Sequence, residues 1–478
     1  MDKYDVVIIG AGVVGTAIAR ELSKYKLNIA VVEKSMDIGG DASRSNSAII
    51  HTGYDAAPGS LESQLVVSAN PMYPKLCHDL DITFKAVGAI LPAITEEERG
   101  NLSAIKQKAS KNHVYDVEYV STKAMLALEP EVNPAALGGL YIPRESIIDP
   151  FMLVVAMAEN AVDNGVSFFT ETCVQSITIE NNEVKAVVTD KGVFHTKFAV
   201  NAAGLYSDEV ARMAGIAEFT VNPRKGQFYI MDKNAKCSVS RIVLPVPTKL
   251  TKGKLAAPTV HGNMLIGPTA EDLTDKTDKS TTAEGLQEVI QGVQKLIPRA
   301  DARESITQYA GLRPNRNPEG LRLDFYPHAQ GFVGLSGVRS TGVTASVSIG
   351  KLIAEAMFER GLPVIPNESF NPYRAGIKRF ASLSAKEQAA LIAKNPRYAN
   401  IICRCETITE AEIVEAIRRP LGAKTVDGVK RRVWAGAGRC QGGFCGPKVL
   451  ELLARERNVS VAKITKDSPA SFVIAGTV

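Results

Sequence analysis

The chain has 478 residues, of which 45% are hydrophobic and 22% are charged, and its formal net charge is +5. These values are typical of a globular protein with two or three domains. A charge this small for the length gives no support to nucleic-acid binding. It is compatible with an anionic substrate, although scattered lysines explain it more simply. No apolar run approaches the ~20 residues of a membrane-spanning helix.

The first apolar run begins at Tyr4, so we expect no signal peptide before it. We therefore expect a cytoplasmic protein, with peripheral contact at the inner face of the membrane left open. In such a reducing compartment, clustered cysteines indicate metal ligands rather than disulfides.

A dinucleotide-binding signature opens the chain. Asp5–Ile9 is an apolar, β-branched run that predicts a buried strand, and the turn and helical segment that follow contain Gly10, Gly12 and Gly15. Gly10 permits a tight turn, Gly12 lets a pyrophosphate approach the backbone, and Gly15 lets the helix pack on the strand. A second apolar run ends at Glu33, where a carboxylate can bind ribose hydroxyls. Strand, turn, helix, strand and acid in this order predict a nucleotide site.

A segment rich in serine, asparagine and glycine follows the nucleotide-binding unit. It reads SRSNSAIIHTGYD over Ser43–Asp55 and contains His51. A single histidine after an apolar stretch most often has a structural role. Loops beside a binding site commonly carry chemistry, however, so this position makes His51 a candidate functional residue.

Three later segments favour FAD over NAD as the nucleotide. Val174 ends a stretch that could bring a backbone edge beside an adenine, and Phe198–Gly204 is a strand that runs into a turn of small residues. Gly331–Gly337 is another strand and turn, followed by a predicted helix over Val343–Phe358. The N-terminus of that helix directs a partial positive charge at a bound group. A flavin ring, which becomes anionic on reduction, is the natural occupant.

Two segments carry candidate anion-binding residues. Lys252 lies in KGKLAAPTVHGNMLIGPTAED and could neutralise a substrate anion, although most lysines are surface residues. His261 in the same run is interpreted as a hairpin residue. Arg313 stands in YAGLRP before a rigid proline, and a guanidinium held in one place can bind a carboxylate or phosphate at two points. A surface arginine is the simpler explanation from composition alone, and Arg316 is a weaker auxiliary.

The C-terminal segment holds four of the seven cysteines. Cys403 and Cys405 form a Cys-x-Cys pair, and Cys440 and Cys445 form a Cys-x4-Cys pair. Two close pairs joined by helical scaffolding can converge on one inorganic site, and both zinc and an iron–sulfur cluster accept four thiolates. The spacing by itself does not decide between them. Between the pairs, Val426–Trp434 is predicted to be a basic, β-like segment.

Across residues 1–360 the layout resembles the D-amino-acid oxidase superfamily of FAD-dependent oxidoreductases. The resemblance implies an α/β fold with a glutathione-reductase-type FAD-binding Rossmann domain and an inserted, mostly antiparallel β substrate domain. The implied oxidoreductase unit spans 1–365, with FAD-binding segments at 1–80, 140–220 and 309–360 and substrate-domain segments at 81–139 and 221–308. The implied cofactor contacts are Gly10, Gly12, Gly15, Glu33, Ser43, Asn46, Ser47, Val174, Ala203, Gly204, Gly337, Ser340, Thr341, Gly342, Val343 and Thr344.

The run NSAIIHTG resembles the NSxxxH-G segment of short bacterial glycerol-3-phosphate dehydrogenases and oxidases and of L-2-hydroxyglutarate dehydrogenases. In that branch the matching histidine lies beside the flavin, which implies that His51 is the catalytic base; a histidine titrates near neutral pH and suits proton removal from an alcohol. GLRP resembles the GxRP segment of the same family, which implies that Arg313 holds the substrate anion. Ser47 and Lys252 are the further implied substrate contacts. PTVHGNMLIGPTAED is similar to the anaerobic glycerol-3-phosphate dehydrogenase family.

The C-terminal run CRCE…VDGVKRRVWAGAGRCQGGFC resembles the bacterioferritin-associated-ferredoxin-like 2Fe-2S domain of that anaerobic family. The resemblance covers all four clustered cysteines, and implies a small α-rich cysteine module at 399–456 that binds a 2Fe-2S cluster, with zinc as the alternative. A linker is expected at 366–398 and a tail at 457–478.

These resemblances together imply FAD-dependent oxidation of the secondary alcohol of sn-glycerol 3-phosphate to dihydroxyacetone phosphate. Electrons would pass through the 2Fe-2S cluster to an electron-accepting protein subunit or a quinone-linked carrier. The nearest alternative oxidises L-2-hydroxyglutarate or another 2-hydroxy acid. An alternative of another class is an electron-relay or assembly subunit of a larger complex, and a structural zinc module is a further one. No nucleic-acid partner is expected.

Overall fold

The computed structural model describes residues 3–247 and 253–476. In chain order the strands are β1 (Lys3–Ile9), β2 (Ile29–Val32), β3 (Ile49–Ile50), β4 (Phe84–Ala86), β5 (Ala89–Pro92), β6 (Glu118–Val120), β7 (Gly139–Ile142), β8 (Ser146–Ile148), β9 (Ser167–Phe169), β10 (Val174–Glu180), β11 (Glu183–Thr189), β12 (Gly192–Asn201), β13 (Thr220–Met231), β14 (Ile242–Val243), β15 (Leu255–Pro258), β16 (Met264–Gly267), β17 (Glu271–Asp272), β18 (Ser305–Asn317), β19 (Arg322–Phe325), β20 (Phe332–Ser336), β21 (Ile401–Cys403) and β22 (Ile408–Thr409). The α-helices are α1 (Val13–Leu22), α2 (Leu61–Ala69), α3 (Tyr73–Leu80), α4 (Glu96–Lys111), α5 (Thr122–Leu128), α6 (Pro150–Asp163), α7 (Ser207–Met213), α8 (Ala283–Gln294), α9 (Gly342–Phe358), α10 (Ala385–Lys394), α11 (Glu410–Arg418), α12 (Val426–Val433) and α13 (Gly446–Arg457).

The first sheet is built around the apolar strand β1. Its order is β10-β11-β12-β1-β2-β9, and β20 and β19 extend it beside β12. Strands β12, β1, β2 and β9 run parallel, as in a Rossmann domain. Because side chains alternate along a strand, Val6 and Ile8 enter the core with α1, α6 and α9, while Val7 and Ile9 enter a second core. The sheet is therefore covered on both faces, which explains why β1 is apolar throughout.

The second sheet has the order β17-β13-β16-β15-β14-β5-β7-β6, with β18 paired to the other strands through β13. Its pairs are antiparallel except for β14 with β5. Two separate stretches of the chain supply these strands. The predicted fold class, a Rossmann domain with an inserted and mostly antiparallel β domain, is therefore confirmed.

The C-terminal module combines the β21–β22 hairpin with α11, α12 and α13 around its own hydrophobic core. The predicted β-like segment at Val426–Trp434 is wrong, because this stretch forms helix α12. The side chain of Thr425 caps the helix by accepting the N–H of Gly428. The basic residues that suggested a strand lie in the last turn, where positive charge is favourable to the helix dipole. They are Lys430, Arg431 and Arg432.

Buried ion pairs join this module to the Rossmann domain. Asp37, which follows β2, lies 2.9 Å from Arg431 and 2.7 Å from Arg432 of α12. Burial by itself would raise the pKa of Asp37, but the two arginines hold it well below its usual range. Glu159 of α6 lies 2.9 Å from Arg419, which follows α11. Removing one partner of a buried pair typically costs about 3–5 kcal/mol, so these contacts hold the module in a defined place.

The helices are short relative to a bilayer. Helix α9, the longest in the described part of the chain, has 17 residues. Across residues 3–247 and 253–476, none of the helices combines the length and the apolar character needed to cross a membrane.

Candidate functional site

The glycine-rich turn between β1 and α1 is shaped as a cradle for a nucleotide. Gly10 has a φ of +105°, in the region that favours glycine. A Cβ atom on Gly10 would lie 2.7 Å from the carbonyl oxygen of Ala202, and a Cβ atom on Gly15 would lie 1.9 Å from the carbonyl oxygen of Gly10. A larger residue at Gly10 or Gly15 would clash with these carbonyl oxygens and displace the turn. The close approach of backbone that a pyrophosphate requires is therefore present.

Glu33 and Ser43 border this cradle. Glu33 Oε2 accepts the N–H of Ala11 at 2.9 Å, and Ser43 Oγ accepts the N–H of Val13 at 2.9 Å. A Cβ atom on Gly12 would lie 3.1 Å from Ser43 Oγ. Both side chains are thus placed against the start of α1, where the ribose and phosphate groups of a dinucleotide bind in this fold. Their contacts with a cofactor stay predictions.

The later predicted cofactor segments converge on the same region. Val174 begins β10, near the end of β2. The link is a hydrogen bond in which the N–H of Thr172 donates to the carbonyl oxygen of Glu33 at 2.8 Å. Ala203 and Gly204 follow β12, next to the glycine turn. A small cavity joins these turns to the end of β20. It is lined by Val14, Ala202, Gly204, Leu335, Ser336, Gly337 and Val338.

The start of helix α9 carries the last group of predicted cofactor contacts. Ser340 and Thr341 precede the helix, which begins at Gly342. Thr344 Oγ1, in its first turn, accepts the backbone N–H of His51 at 2.9 Å. The predicted base and the helix N-terminus that was assigned to the flavin are therefore in direct contact.

His51 is paired with a buried carboxylate. Its Nδ1 lies 2.9 Å from Oε2 of Glu145, whose side chain is 0% exposed. The other oxygen, Oε1, accepts both the N–H of Thr52 at 2.7 Å and the Thr52 hydroxyl at 3.0 Å. A carboxylate in this position is best satisfied by an Nδ1–H donor, which leaves a lone pair on Nε2 of His51. The ring is thereby oriented with an accepting nitrogen free to take a proton.

Glu145 was not predicted from the sequence. The signal was weak: Glu145 is one of two acids in YIPRESIID, and it lies between two short apolar runs. The pairing of β3 with β8 sets Ile50 opposite Ser146, so Glu145 comes beside His51 although the two are 94 residues apart. A buried acid just before a short strand could have been suspected, but its partner could not have been named.

Arg313 lies half-buried on β18. Its guanidinium donates to the carbonyl oxygen of Thr269 at 2.7 Å, and across residues 3–247 and 253–476 it forms no ion pair. Burial lowers the pKa of Arg313 to about 10, with the charge of Arg224 as a second cause. The group is still charged at neutral pH. A partly desolvated cation of this kind is stabilised by an anionic ligand that it can contact at two points.

Arg224 stands directly opposite Arg313 in the β13–β18 pair. Like charges in this relation destabilise a sheet, so the pairing favours an anion site. A Cβ atom on Gly226 would lie 2.2 Å from a guanidinium nitrogen of Arg313, so this glycine makes room for the arginine on the same face. Asp272 lies 3.7 Å from Arg224 and offsets part of the charge. Arg224 and Gly226 were missed, because only the strand register brings them to Arg313.

The segment that carries His51 also lies against β18. Asn46 accepts the Tyr309 hydroxyl on its carbonyl oxygen at 2.7 Å, and its side chain accepts the N–H of Ala48 at 2.8 Å. Gly311 allows the same approach, since a Cβ atom there would lie 2.1 Å from the carbonyl oxygen of Ser45. Ser47 is half-buried within this loop. The loop therefore joins the predicted base to the strand that carries Arg313.

The substrate contact expected of Lys252 stays a prediction. Lys252 lies outside the described residues. Lys254 forms an ion pair with Glu288 of α8 and packs against that helix, so its charge is balanced within the protein. His261 lies in the turn between β15 and β16, as expected of a hairpin residue, and its Nε2 is 2.9 Å from Asp149.

The four clustered cysteines come together as two pairs. Cys405 Sγ and Cys440 Sγ are 3.7 Å apart. The Cys445 thiol donates to Cys403, which lowers the pKa of Cys403 to about 6 and raises the pKa of Cys445. In the described ranges, no three His, Cys, Asp or Glu side chains are arranged around a single metal ion. A 2Fe-2S cluster takes two thiolates at each iron, so two pairs fit it better than zinc, which takes four ligands around one ion.

Comparison with known proteins agrees with this geometry. The family model "FAD dependent oxidoreductase" matches residues 5–356, and "BFD-like [2Fe-2S] binding domain" matches residues 401–455. The chain is similar to a glycerol 3-phosphate dehydrogenase of Caloramator mitchellensis, with 41% identity over 99% of this chain and 98% of that protein. It is 25% identical to one subunit of the anaerobic glycerol-3-phosphate dehydrogenase of Escherichia coli (strain K12), over 94% of this chain and 88% of that one.

A solved structure shows the same fold. The dithionite-reduced L-alpha-glycerophosphate oxidase from Mycoplasma pneumoniae, with FAD bound, superposes with a TM-score of 0.73 and 29% identity. The match covers 78% of this chain and 98% of that one. The predictions of an oxidoreductase, of FAD and of a 2Fe-2S cluster are confirmed by these comparisons. The chain belongs to the FAD dependent oxidoreductase family, and its C-terminal module is a BFD-like [2Fe-2S] binding domain.

Proposed function

We propose that this chain oxidises the secondary alcohol of sn-glycerol 3-phosphate to dihydroxyacetone phosphate. The observation that carries the proposal is the pairing of His51 with buried Glu145 at the first turn of α9, in a loop packed on the strand of Arg313. One end of this arrangement can take a proton, and the other can hold an anion. The names of the relatives from Caloramator mitchellensis and Mycoplasma pneumoniae support the same substrate.

A phosphate suits the anion site better than a carboxylate does. Arg313 and Arg224 face each other on one side of the β13–β18 pair, and Asp272 offsets part of their charge. A phosphate monoester carries close to two negative charges at neutral pH and has three oxygens that accept hydrogen bonds. Two guanidinium groups can balance the two negative charges of a phosphate. A carboxylate carries one negative charge and would balance one guanidinium. We therefore favour glycerol 3-phosphate over L-2-hydroxyglutarate and other 2-hydroxy acids.

The proposed roles of the residues follow from their contacts. Nε2 of His51 accepts the substrate hydroxyl proton, and Glu145 stabilises the positive charge that then develops on the ring. Arg313 holds the phosphate, so that the carbinol carbon stays at one place relative to His51. FAD, when bound, supplies the hydride acceptor. The buried setting of Glu145 keeps its interaction with the ring strong, because water does not compete for Oε2.

Replacing Glu145 with glutamine is expected to slow flavin reduction about 10- to 10²-fold. The amide oxygen would stay with the Thr52 N–H, so the amide NH2 would face His51 Nδ1 and favour the tautomer with a proton on Nε2. That tautomer cannot act as the base. Anaerobic stopped-flow measurement of the flavin band checks this, with bound FAD content as the control. A glutamine variant as fast as the wild type would remove the positioning role.

We further propose that Cys403, Cys405, Cys440 and Cys445 are the cluster ligands. A Cys405→Ser variant is expected to lose most of its iron and sulfide, since serine is a poor replacement for a thiolate on iron. Flavin reduction by the substrate should continue, while reduction of a one-electron acceptor protein should fall. Cys173→Ser is the matched control, because that thiol is exposed and distant in sequence from the module. Retention of a full cluster in Cys405→Ser would exclude this ligand.

The electrons must then leave the protein. The Escherichia coli relative is named as one subunit of a larger enzyme, which supports an electron-accepting protein subunit in the role of partner. A quinone-linked carrier is the other acceptor that we consider. We propose a cytoplasmic protein that makes peripheral contact with the inner face of the membrane when it delivers electrons to such a carrier.

The test of the substrate is an anaerobic titration of iron-replete holoprotein. Glycerol 3-phosphate and L-2-hydroxyglutarate are added separately while the yellow flavin band is followed. We expect rapid bleaching by glycerol 3-phosphate and slow or no bleaching by the hydroxy acid. Bleaching by the hydroxy acid instead would replace the proposed substrate. No bleaching by either would favour a relay or assembly subunit.

A further inference from the structure

An aromatic ring stands in solvent on the cysteine loop. The side chain of Phe444 is 86% exposed, although it directly precedes the buried Cys445. Its backbone N–H donates to Cys440, so the backbone faces the thiols while the ring points outward. A single exposed hydrophobic residue needs no explanation on an ordinary surface. Here the residue is adjacent in the chain to Cys445, and its backbone contacts Cys440; both thiols are proposed to hold the cluster.

The two thiol pairs differ in their access to solvent. Cys403 and Cys445 are buried, whereas Cys405 is exposed and Cys440 is half-buried. Cys405 and Cys440 form one of the two pairs, and Phe444 contacts that pair through its backbone. The more exposed thiol pair is therefore the one that the backbone of Phe444 contacts.

Basic residues stand next to the exposed pair in the chain, since Arg404 precedes Cys405 and Arg439 precedes Cys440, and Lys448 lies in the first turn of α13 after Cys445. Arg404, Arg439 and Lys448 are all exposed. In the described ranges Arg404 and Lys448 have no ion pair, while Arg439 lies 2.5 Å from Asp232. Along α13, the exposed acid that follows Lys448 is Glu451, one turn further on. Asp232 offsets the charge of Arg439, and Arg404 and Lys448 leave an excess of positive charge beside the cysteine loop, which favours partners with a negative face.

We propose that Phe444, Arg404, Arg439 and Lys448 form the docking surface for an acidic one-electron carrier protein. The inference rests on the proposed function in that electrons leave through the C-terminal module. Oxidation of one alcohol releases two electrons, and each oxidised carrier takes one, so two docking events follow each substrate turnover. The ring supplies a central apolar contact, and the surrounding charges steer the acidic partner onto it.

The first test measures binding and needs no turnover. Full-length oxidised holoprotein is titrated by calorimetry with the soluble domain of cytochrome b5, an acidic haem protein, and separately with basic cytochrome c. We expect binding of cytochrome b5 at low ionic strength that weakens as salt is added. Cytochrome c should bind at least about tenfold more weakly under the same conditions.

Variants locate the surface. Phe444→Ala is expected to weaken cytochrome b5 binding about tenfold. Arg404→Glu with Lys448→Glu is expected to weaken it by at least about tenfold and to strengthen binding of cytochrome c. The matched controls are Tyr115→Ala, whose ring is 70% exposed on the substrate domain, and Lys123→Glu with Lys191→Glu. If the glutamate variant loses iron, Arg404→Gln with Lys448→Gln takes its place.

The second test measures electron transfer from protein that has been reduced chemically, which makes it independent of the substrate. Haem reduction of cytochrome b5 should slow in the same variants and by similar factors. Equal losses in the control variants, or tighter binding of cytochrome c than of cytochrome b5, would overturn the docking surface. Intact docking without flavin reduction by glycerol 3-phosphate would instead overturn only the proposed substrate.

Discussion

A His51→Ala variant is expected to reduce its flavin with sn-glycerol 3-phosphate about 10²- to 10⁴-fold more slowly than the wild type. The reason is the loss of Nε2 as proton acceptor, while the glycine turn that is proposed to hold FAD is untouched. Anaerobic stopped-flow measurement of the flavin band gives the rate, and the absorbance of the purified protein gives the FAD content. The effect should appear chiefly in the maximal rate of reduction, because the anion site at Arg313 remains.

Two controls separate the role of His51 from a general disturbance. His78→Ala removes an imidazole whose side chain is 84% exposed, and it should leave the rate unchanged. Glu145→Gln should fall between His51→Ala and the wild type, since it changes the tautomer and keeps the ring. A His51→Ala protein that binds FAD and is reduced at the wild-type rate would exclude this residue as the base.

Replacing Arg313 with alanine is expected to lower kcat/KM for glycerol 3-phosphate about 10²- to 10³-fold, mainly through a higher KM. The guanidinium has no ion pair in the described chain and would be the main partner of the phosphate. Arg224 would remain, so binding should weaken without disappearing. Steady-state kinetics with a one-electron dye as acceptor measures both constants.

Rescue by a small molecule makes this prediction specific. Added guanidinium should restore part of the activity of Arg313→Ala, because the cavity left by the side chain can accept it. Arg322→Ala is the control, since that side chain is 59% exposed on β19 and should not respond. Arg313→Lys should stay well below the wild type, because an ammonium lacks the fork that contacts two oxygens. An unchanged KM in Arg313→Ala would place the phosphate elsewhere.

The nucleotide site illustrates what could be predicted from local sequence. Gly10, Gly12 and Gly15 lie within six positions of one another, and the strand and helix that flank them are apolar enough to be recognised. The turn they form depends on the absence of side chains, which is a property of the residues themselves. A position of His51 beside the flavin was implied only by the family resemblance, and its catalytic role stays a prediction.

The incorrect strand at Val426–Trp434 has a physical cause. The stretch VDGVKRRVW contains three valines and a tryptophan, which favour strands, and a glycine, which disfavours a helix, so local preference favoured a strand. The cap at Thr425 and the packing of α12 against Asp37 through Arg431 and Arg432 decided the outcome. Tertiary contacts of this kind commonly override weak local preference.

The amino-acid sequence by itself determined the FAD-binding turn, the family and the presence of a cysteine module, because each depends on residues that are close along the chain. The tertiary structure decided which groups work together. Glu145 meets His51 through the pairing of β3 with β8, Arg224 meets Arg313 through the register of β13 and β18, and the four thiols sort into two pairs. These contacts join distant positions, and many arrangements satisfy the same local patterns. The pairing of strands and the packing of helices select one of them.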